Sequence, residues 1–121
     1  MTADPAKFLP LTTAEFQILL SLAGSERHGY AIMQDVEAAT GGKVNLRPGT
    51  LYRSIKKLLD AGLIEETEDR PDPALDDERR RYYQLTGLGR RTAVAEANRL
   101  NALVSQAYSR LGLSKKARGE I

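Results

Sequence analysis

The chain has no cysteine, a single histidine and no long apolar run, and each shortage closes off a class of function. Without thiols there are no disulfides and no thiolate metal sites, although a cysteine-free chain suits a reducing or an oxidising compartment equally. A Cys-His catalytic pair is excluded. A Ser-His-Asp site would have to assemble around His28, which stands in no G-x-S-x-G context. A lone histidine at a helix start reads as a hydrogen-bonding or packing residue before it reads as a ligand or a pH switch. No stretch approaches the roughly 20 apolar residues that cross a bilayer, and the opening MTADPAKFLP has no basic segment leading into an apolar one. Phosphate-cradling Gly loops, zinc spacings and dinucleotide fingerprints are absent too. Half of the carboxylates gather between residues 65 and 78, where solvation leaves them ordinary charges instead of a tuned acid–base pair. The expectation is a cytoplasmic non-enzyme with no cofactor, no metal and no membrane association.

What is present is one domain's worth of amphipathic helix. At 121 residues the chain can bury about two-thirds of the surface its unfolded form exposes. Thr12-Thr13-Ala14-Glu15 fits a capping box, so a first helix begins near residue 13, with Phe16, Leu19, Leu20 and Ala23 beside Ile18 and Leu22 as its apolar set. Gly24-Ser25 ends it. A second helix follows His28-Gly29 and carries Tyr30, Met33, Val36 and Ala39 at helical spacing, until Gly41-Gly42 stops it. Lys43 to Leu46 is a short extended piece.

Residues 47 to 62, RPGTLYRSIKKLLDAG, carry the clearest signal. Leu51, Ile55, Leu58 and Leu59 recur at i, i+4, i+7 and i+8 and share one stripe of a helix, which Pro48 starts without needing its missing N–H. Thr50, Tyr52, Arg53, Lys56 and Lys57 lie off that stripe. Lys43, Arg47, Arg53, Lys56 and Lys57 against Asp60 give a local net charge of +4, whereas the whole chain carries +2. Concentrated positive charge on one helix is what a polyanion requires.

After Gly62 the period changes from helix to strand. Leu63 to Glu68 and Arg79 to Leu85 are two strand-like runs, the second alternating Arg81, Tyr83 and Leu85 against Tyr82 and Gln84. The connector DRPDPALDDE between them reads as a hairpin loop. Three helices and a hairpin, a mainly α chain with a small β-hairpin, is the order of a winged helix-turn-helix, spanning residues 12–86. From 87 to 111 the chain is helical again. Ala93, Ala97, Leu100, Val104, Ala107 and Leu111 are spaced 4, 3, 4, 3 and 4, a narrow a/d seam that wants a second helix, and a second copy of the chain is the partner it suits. Residues 1–11 and 112–121 read as flexible ends, and the basic excess after Arg110 as a solvated tail.

Three segments together carry a resemblance: HGYAI in the second helix, GTLYRSIKKLLDAGLI from the third helix into the wing, and RRRYYQLTGLGR leading out of it. They resemble the PadR family of bacterial transcriptional regulators over about residues 12 to 111, in its short form with one C-terminal helix. The resemblance implies a homodimeric repressor of sequence-specific operator DNA whose third helices enter successive major grooves, whose wings lie along the flanking backbone or minor groove and whose last helix dimerises. It also permits release of DNA by a small hydrophobic or phenolic effector near the dimer interface, here around Leu100, Leu103 and Val104. That seam has no aromatic residue before Tyr108 on which a planar ligand could stack.

The candidate DNA-contacting residues are Arg47, Pro48, Gly49, Thr50, Tyr52, Arg53, Lys56 and Lys57 on the third helix, and Arg79, Arg80 and Arg81 beside the wing. Arginines and lysines there can reach phosphates or the O6/N7 edge of guanine, hydroxyls can bond phosphate oxygens, and the N–H groups around Gly49 form a helix-terminus anion site. The competing reading is a solvated helix face with Tyr52 packed on the wing. The three arginines cannot all face one way: Arg79 and Arg81 share a face with Tyr83, and one of them can instead neutralise a wing glutamate. The connector departs from the Gly-rich tip usual in the family. Asp69, Asp72, Asp76, Asp77 and Glu78 against Arg70 leave it at −4, a charge that repels phosphate. The alternative function is a winged-helix module for protein–protein contact, which would favour apolar or mixed residues where Tyr52, Arg53 and Lys56 stand.

Overall fold

A computed structural model describes residues 3–67 and 81–113. A short 3₁₀ turn, Pro5–Phe8, precedes α1 (Thr13–Gly24), β1 (Arg27–His28), α2 (Gly29–Ala39), α3 (Pro48–Asp60), β2 (Ile64–Glu66), β3 (Tyr82–Leu85) and α4 (Gly87–Arg110). The capping box at Thr12 forms as its residues predict: the Glu15 N–H donates to Thr12 Oγ1 at 3.0 Å and the Thr12 N–H donates to Glu15 Oε1 at 2.8 Å. His28 caps α2, its Nδ1 accepting the Ala31 N–H at 3.0 Å while its ring meets Tyr82 edge-on at 5.3 Å. It is a hydrogen-bonding and packing residue, in keeping with its position at a helix start.

The core takes Ile18, Leu19 and Leu22 from α1, Ile32 and Val36 from α2, and Leu51, Ile55 and Leu58 from α3. Leu46, Leu63, Ile64, Tyr83 and Ala93 close it. Two helices bury a somewhat different face from the one their spacing predicts. In α1, Leu20 and Ala23 are exposed and Phe16 is half-buried; in α2, Ile32 replaces Tyr30 and Ala39, both of which face solvent. Each helix is rich enough in apolar residues to offer two overlapping stripes, and packing against α3 and the sheet selects one.

The wing is a three-stranded antiparallel sheet in the order β1-β3-β2, one strand more than the expected hairpin. Arg27 and His28 pair with Tyr83 and Tyr82, and Ile64, Glu65 and Glu66 pair with Leu85, Gln84 and Tyr83. A two-residue strand is too short to show period 2 in a sequence; only its partner across the sheet makes it one. The expected loop at 69–78 lies outside the described residues.

The chain turns from α3 into β2 at Gly62, whose φ of +77° places it in the left-handed region. The Gly62 N–H donates to the Leu59 carbonyl and the Leu63 N–H to the Leu58 carbonyl, the paired bonds of a Schellman stop. From β3 the chain enters α4 through Thr86, whose Oγ1 accepts the Gly89 N–H at 2.9 Å. There α4 passes so close to β2 that a Cβ on Gly89 would lie 1.9 Å from the Leu63 carbonyl oxygen. Past this crossing the first half of α4 packs on the domain, burying Thr92, Ala93 and Glu96. The 3₁₀ turn and the residues after it lie against α4, so a segment read as a flexible end has a defined seat at residues 5–11.

Gly89→Ala should therefore cost about 1–3 kcal/mol as an overpacking defect against backbone, despite alanine's better helix propensity. Gly24→Ala, where nothing lies within 4 Å of the new Cβ, serves as control. Urea unfolding checks both, and equal midpoints would show that the α4–β2 crossing can open freely.

Candidate nucleic-acid interface

Burial of Leu51, Ile55 and Leu58 at 0–2% exposure leaves α3 no freedom about its axis, and the residues off that stripe are thereby presented outward. Arg53 is exposed, with no ion-pair partner among the described residues. Lys56 stands one turn along, its side chain 78% exposed and its Nζ 3.2 Å from Asp60. Such an exposed i,i+4 pair is worth about 0.3–0.5 kcal/mol, too little to withhold Lys56 from a phosphate. At the start of the helix Arg47 occupies the N-cap without making a capping hydrogen bond, so its side chain leaves the first-turn N–H groups at Gly49 and Thr50 unclaimed. Arg47, Pro48 and Gly49 are exposed and Thr50 is half-buried.

Two of the expected contact residues are held elsewhere. The ring of Tyr52 lies half-buried over the start of α2, so close that a Cβ on Gly29 would fall 2.7 Å from its hydroxyl. This contact is with the second helix. Lys57 reaches back to α1, its Nζ 3.1 Å from Glu15 Oε2. Beside the sheet, Arg81 Nε lies 3.5 Å from Glu66 Oε1, the intramolecular pairing that alternation allowed for one of the wing arginines. Arg79 and Arg80 lie outside the described residues. The face that the structure brings together is thus Arg47, Gly49, Thr50, Arg53 and Lys56.

Beyond Glu96, α4 leaves the domain. Ala97, Leu103, Val104, Ala107 and Leu111 are exposed and Leu100 is half-buried, so the seam runs outward with its apolar residues uncovered in a single chain. Ala93, its expected first member, is instead part of the chain's own core at 8% exposure, because the Gly89 crossing draws that turn of the helix inward. At 24 residues α4 is about 36 Å long, and most residues of its second half are exposed.

Three helices, a small antiparallel sheet and an outward-facing third helix define a winged helix-turn-helix. Within that class, residues 18–95 match the transcriptional regulator PadR-like family, and the chain belongs to that family. A transcriptional regulator from Clostridium thermocellum superposes with a TM-score of 0.67 at 21% identity over 79% of this chain and 89% of that one. A PadR family transcription regulator from Clostridium difficile gives 0.64 at 19% identity, over 83% and 98% of the respective chains. Bacillus subtilis PadR in complex with operator DNA gives 0.61 at 24% identity, over 71% of this chain and 47% of the other. At these identities the likeness is one of fold. No curated protein sequence matches the chain.

Two buried glutamates do not stand out in the sequence as site residues. Glu96, 1% exposed on α4, pairs with Arg99 and accepts the Leu11 N–H at 2.8 Å. Glu15, 5% exposed, accepts the Thr12 N–H and pairs with Lys57. For Glu15 the capping box is a signal; for Glu96 the only one is a glutamate on the side of a helix that also carries Thr92 and Ala93. The Arg99 contact draws the Glu96 carboxyl below the ordinary glutamate range, burial opposes this, and the Leu11 N–H adds to the lowering. For Glu15 burial is the largest influence and pushes upward, but the Thr12 N–H and Lys57 together outweigh it, and the net direction is again down.

With both carboxyls held low in the folded state, the unfolded chain binds more protons in acid. The stability they contribute is present above the ordinary glutamate value of about 4.3 and is lost as pH falls below it through the lowered values of the folded state. Urea midpoints should accordingly drop between about pH 5 and pH 3, and more shallowly in a Glu15→Gln/Glu96→Gln variant. Parallel acid profiles for the two proteins would show that neither carboxylate is preferentially charged in the fold.

Proposed function

We propose that the protein is a homodimeric, operator-binding transcriptional repressor that inserts α3 into the major groove of duplex DNA. The observation that carries this reading is the outward face of α3: among the described residues Arg53 has no ion-pair partner and Lys56 pairs only with exposed Asp60, and Arg47, Gly49 and Thr50 stand at an N-terminus whose N-cap side chain makes no capping hydrogen bond. Guanidinium and ammonium groups one turn apart suit phosphates and guanine edges, and the first-turn N–H groups suit a phosphate. Membership of a family of transcriptional regulators supports it, as does the fold shared with Bacillus subtilis PadR, whose structure is of a complex with operator DNA. A protein–protein module on the same fold is disfavoured by this cationic face.

The dimer in this reading is formed by the projecting half of α4, through Ala97, Leu100, Val104, Ala107 and Leu111 against the same residues of a second copy. The support is their exposure on a helix that extends past its own domain. Small residues at Ala97 and Ala107 would let the two helices approach closely. A two-fold pair would set two α3 helices about one turn of DNA apart, roughly 34 Å. An effector pocket at Leu100, Leu103 and Val104 would exist only in the dimer, since Leu103 and Val104 stand 51% and 41% exposed in one chain.

Footprinting of the purified protein on its own upstream DNA should show two protected half-sites one helical turn apart. Arg53→Ala and Lys56→Ala should each weaken binding, by about 1–3 kcal/mol where the residue reads a base, while log affinity for the wild type falls linearly with log salt. Wild-type affinity that is flat in salt, or indifferent to both substitutions, would refute the reading. Separately, Leu100→Glu puts a charge into the seam and is expected to give monomers by sedimentation. A dimer that survives it would assign self-association to another surface.

A further inference from the structure

We propose that Lys57, although it sits among the cations of α3, is a positioning residue: it holds the DNA-facing helix against α1 through the buried carboxylate of Glu15 instead of neutralising a phosphate. The inference rests on the operator-binding reading of α3. Its geometry is a short chain of contacts. Lys57 Nζ lies 3.1 Å from Glu15 Oε2; the lysine side chain is 72% exposed, the glutamate side chain 7%. The other oxygen, Oε1, accepts the Thr12 N–H at 2.8 Å, and Thr12 Oγ1 accepts the Glu15 N–H at 3.0 Å. One residue earlier, the Leu11 N–H donates to Glu96 Oε2 at 2.8 Å. Two consecutive amides of the N-terminal strap are thus tied to buried carboxylates, one on α1 and one on α4, and the α1 carboxylate in turn reaches α3.

The ion pair adds a polar tie near the C-terminal end of α3 to the apolar packing of its buried stripe. Between the strap and the C-terminal half of α3 lies a cavity of about 230 Å³, lined by Phe8, Leu11, Glu15, Lys57 and Leu63 among others. The Lys57–Glu15 pair lies at the edge of this pocket, and both residues line it. A buried carboxylate left without its cation is costly, so loss of Lys57 drives Glu15 toward water and lets the end of α3 move away from α1. Arg53 and Lys56 ride on the same rigid helix, and their fit to phosphates a fixed distance apart degrades with any such tilt.

Salt dependence separates positioning from phosphate neutralisation, because the slope of log affinity against log salt becomes shallower by about 0.9 for every phosphate that the protein ceases to neutralise. The measurement is binding of the full chain to a duplex carrying the footprinted upstream sequence, across a salt series. Lys57→Met should weaken binding about 3- to 10-fold with the wild-type slope retained, and Lys57→Arg should restore it. Arg53→Ala, the reference, should make the slope shallower. Glu15→Gln keeps an oxygen for the Thr12 N–H but removes the charge, and should weaken binding as Lys57→Met does. A plain charge effect predicts the opposite sign there, since one negative charge fewer near DNA tightens binding. The double variant should be no weaker than either single one, as expected for two ends of one contact. A slope as shallow in Lys57→Met as in Arg53→Ala, wild-type affinity in Lys57→Met, or tighter binding by Glu15→Gln would each overturn the assignment while leaving the operator-binding reading intact. If wild-type affinity itself is flat in salt, that reading fails and this inference fails with it.

Discussion

The packing of one helical stripe governs the rest of the molecule. Leu51, Ile55 and Leu58 are buried almost completely against α1, α2 and the sheet, and in a helix of 3.6 residues per turn this decides where every other α3 side chain points. A helix with charged groups on all sides would present no particular set of them. With one stripe committed to the core, Arg47, Arg53 and Lys56 form a face instead of a composition. The Schellman stop at Gly62 and the close pass of Gly89 over Leu63 then anchor β2 and α4 to the far end of the same helix.

Buried charge is the second organising element, and it works through satisfaction of partners. A carboxylate inside a domain persists only when N–H donors and a cation replace its water, and Glu15 and Glu96 each have both. Adjacent amides of Leu11 and Thr12 serve the two groups and, with Phe8 and Leu11 packed against the core, seat residues 5–11 on the domain. The lowered titration of both glutamates is the electrostatic signature of the same arrangement.

The molecule divides its apolar surface between two tasks. The first half of α4 belongs to the winged helix, with Thr92, Ala93 and Glu96 buried, whereas Leu103, Val104 and Leu111 on the second half are left in water by a single chain. The match to the PadR-like family ends at residue 95, at the boundary between these halves. A regulator of this family thus shows a domain that completes its own core and an extension that does not.

Periodicity and punctuation were legible in the residues alone. The α3 stripe, the capping box at Thr12, the glycine stops and the return to helix at Thr86 are local properties, set by spacing and by backbone chemistry that each residue carries wherever it is placed. The a/d spacing of α4 was equally visible, but not that Ala93 belongs to the core and only Ala97 onward to the outside. Nor could spacing choose between two stripes in α1 and α2, or reveal β1, since each depends on a partner distant in sequence. Tertiary structure alone decided which partner each cation meets. Lys56 and Lys57 are neighbours of the same chemistry, yet one lies beside an exposed aspartate and the other against a buried glutamate on α1, and only the fold brings that glutamate within 3.1 Å.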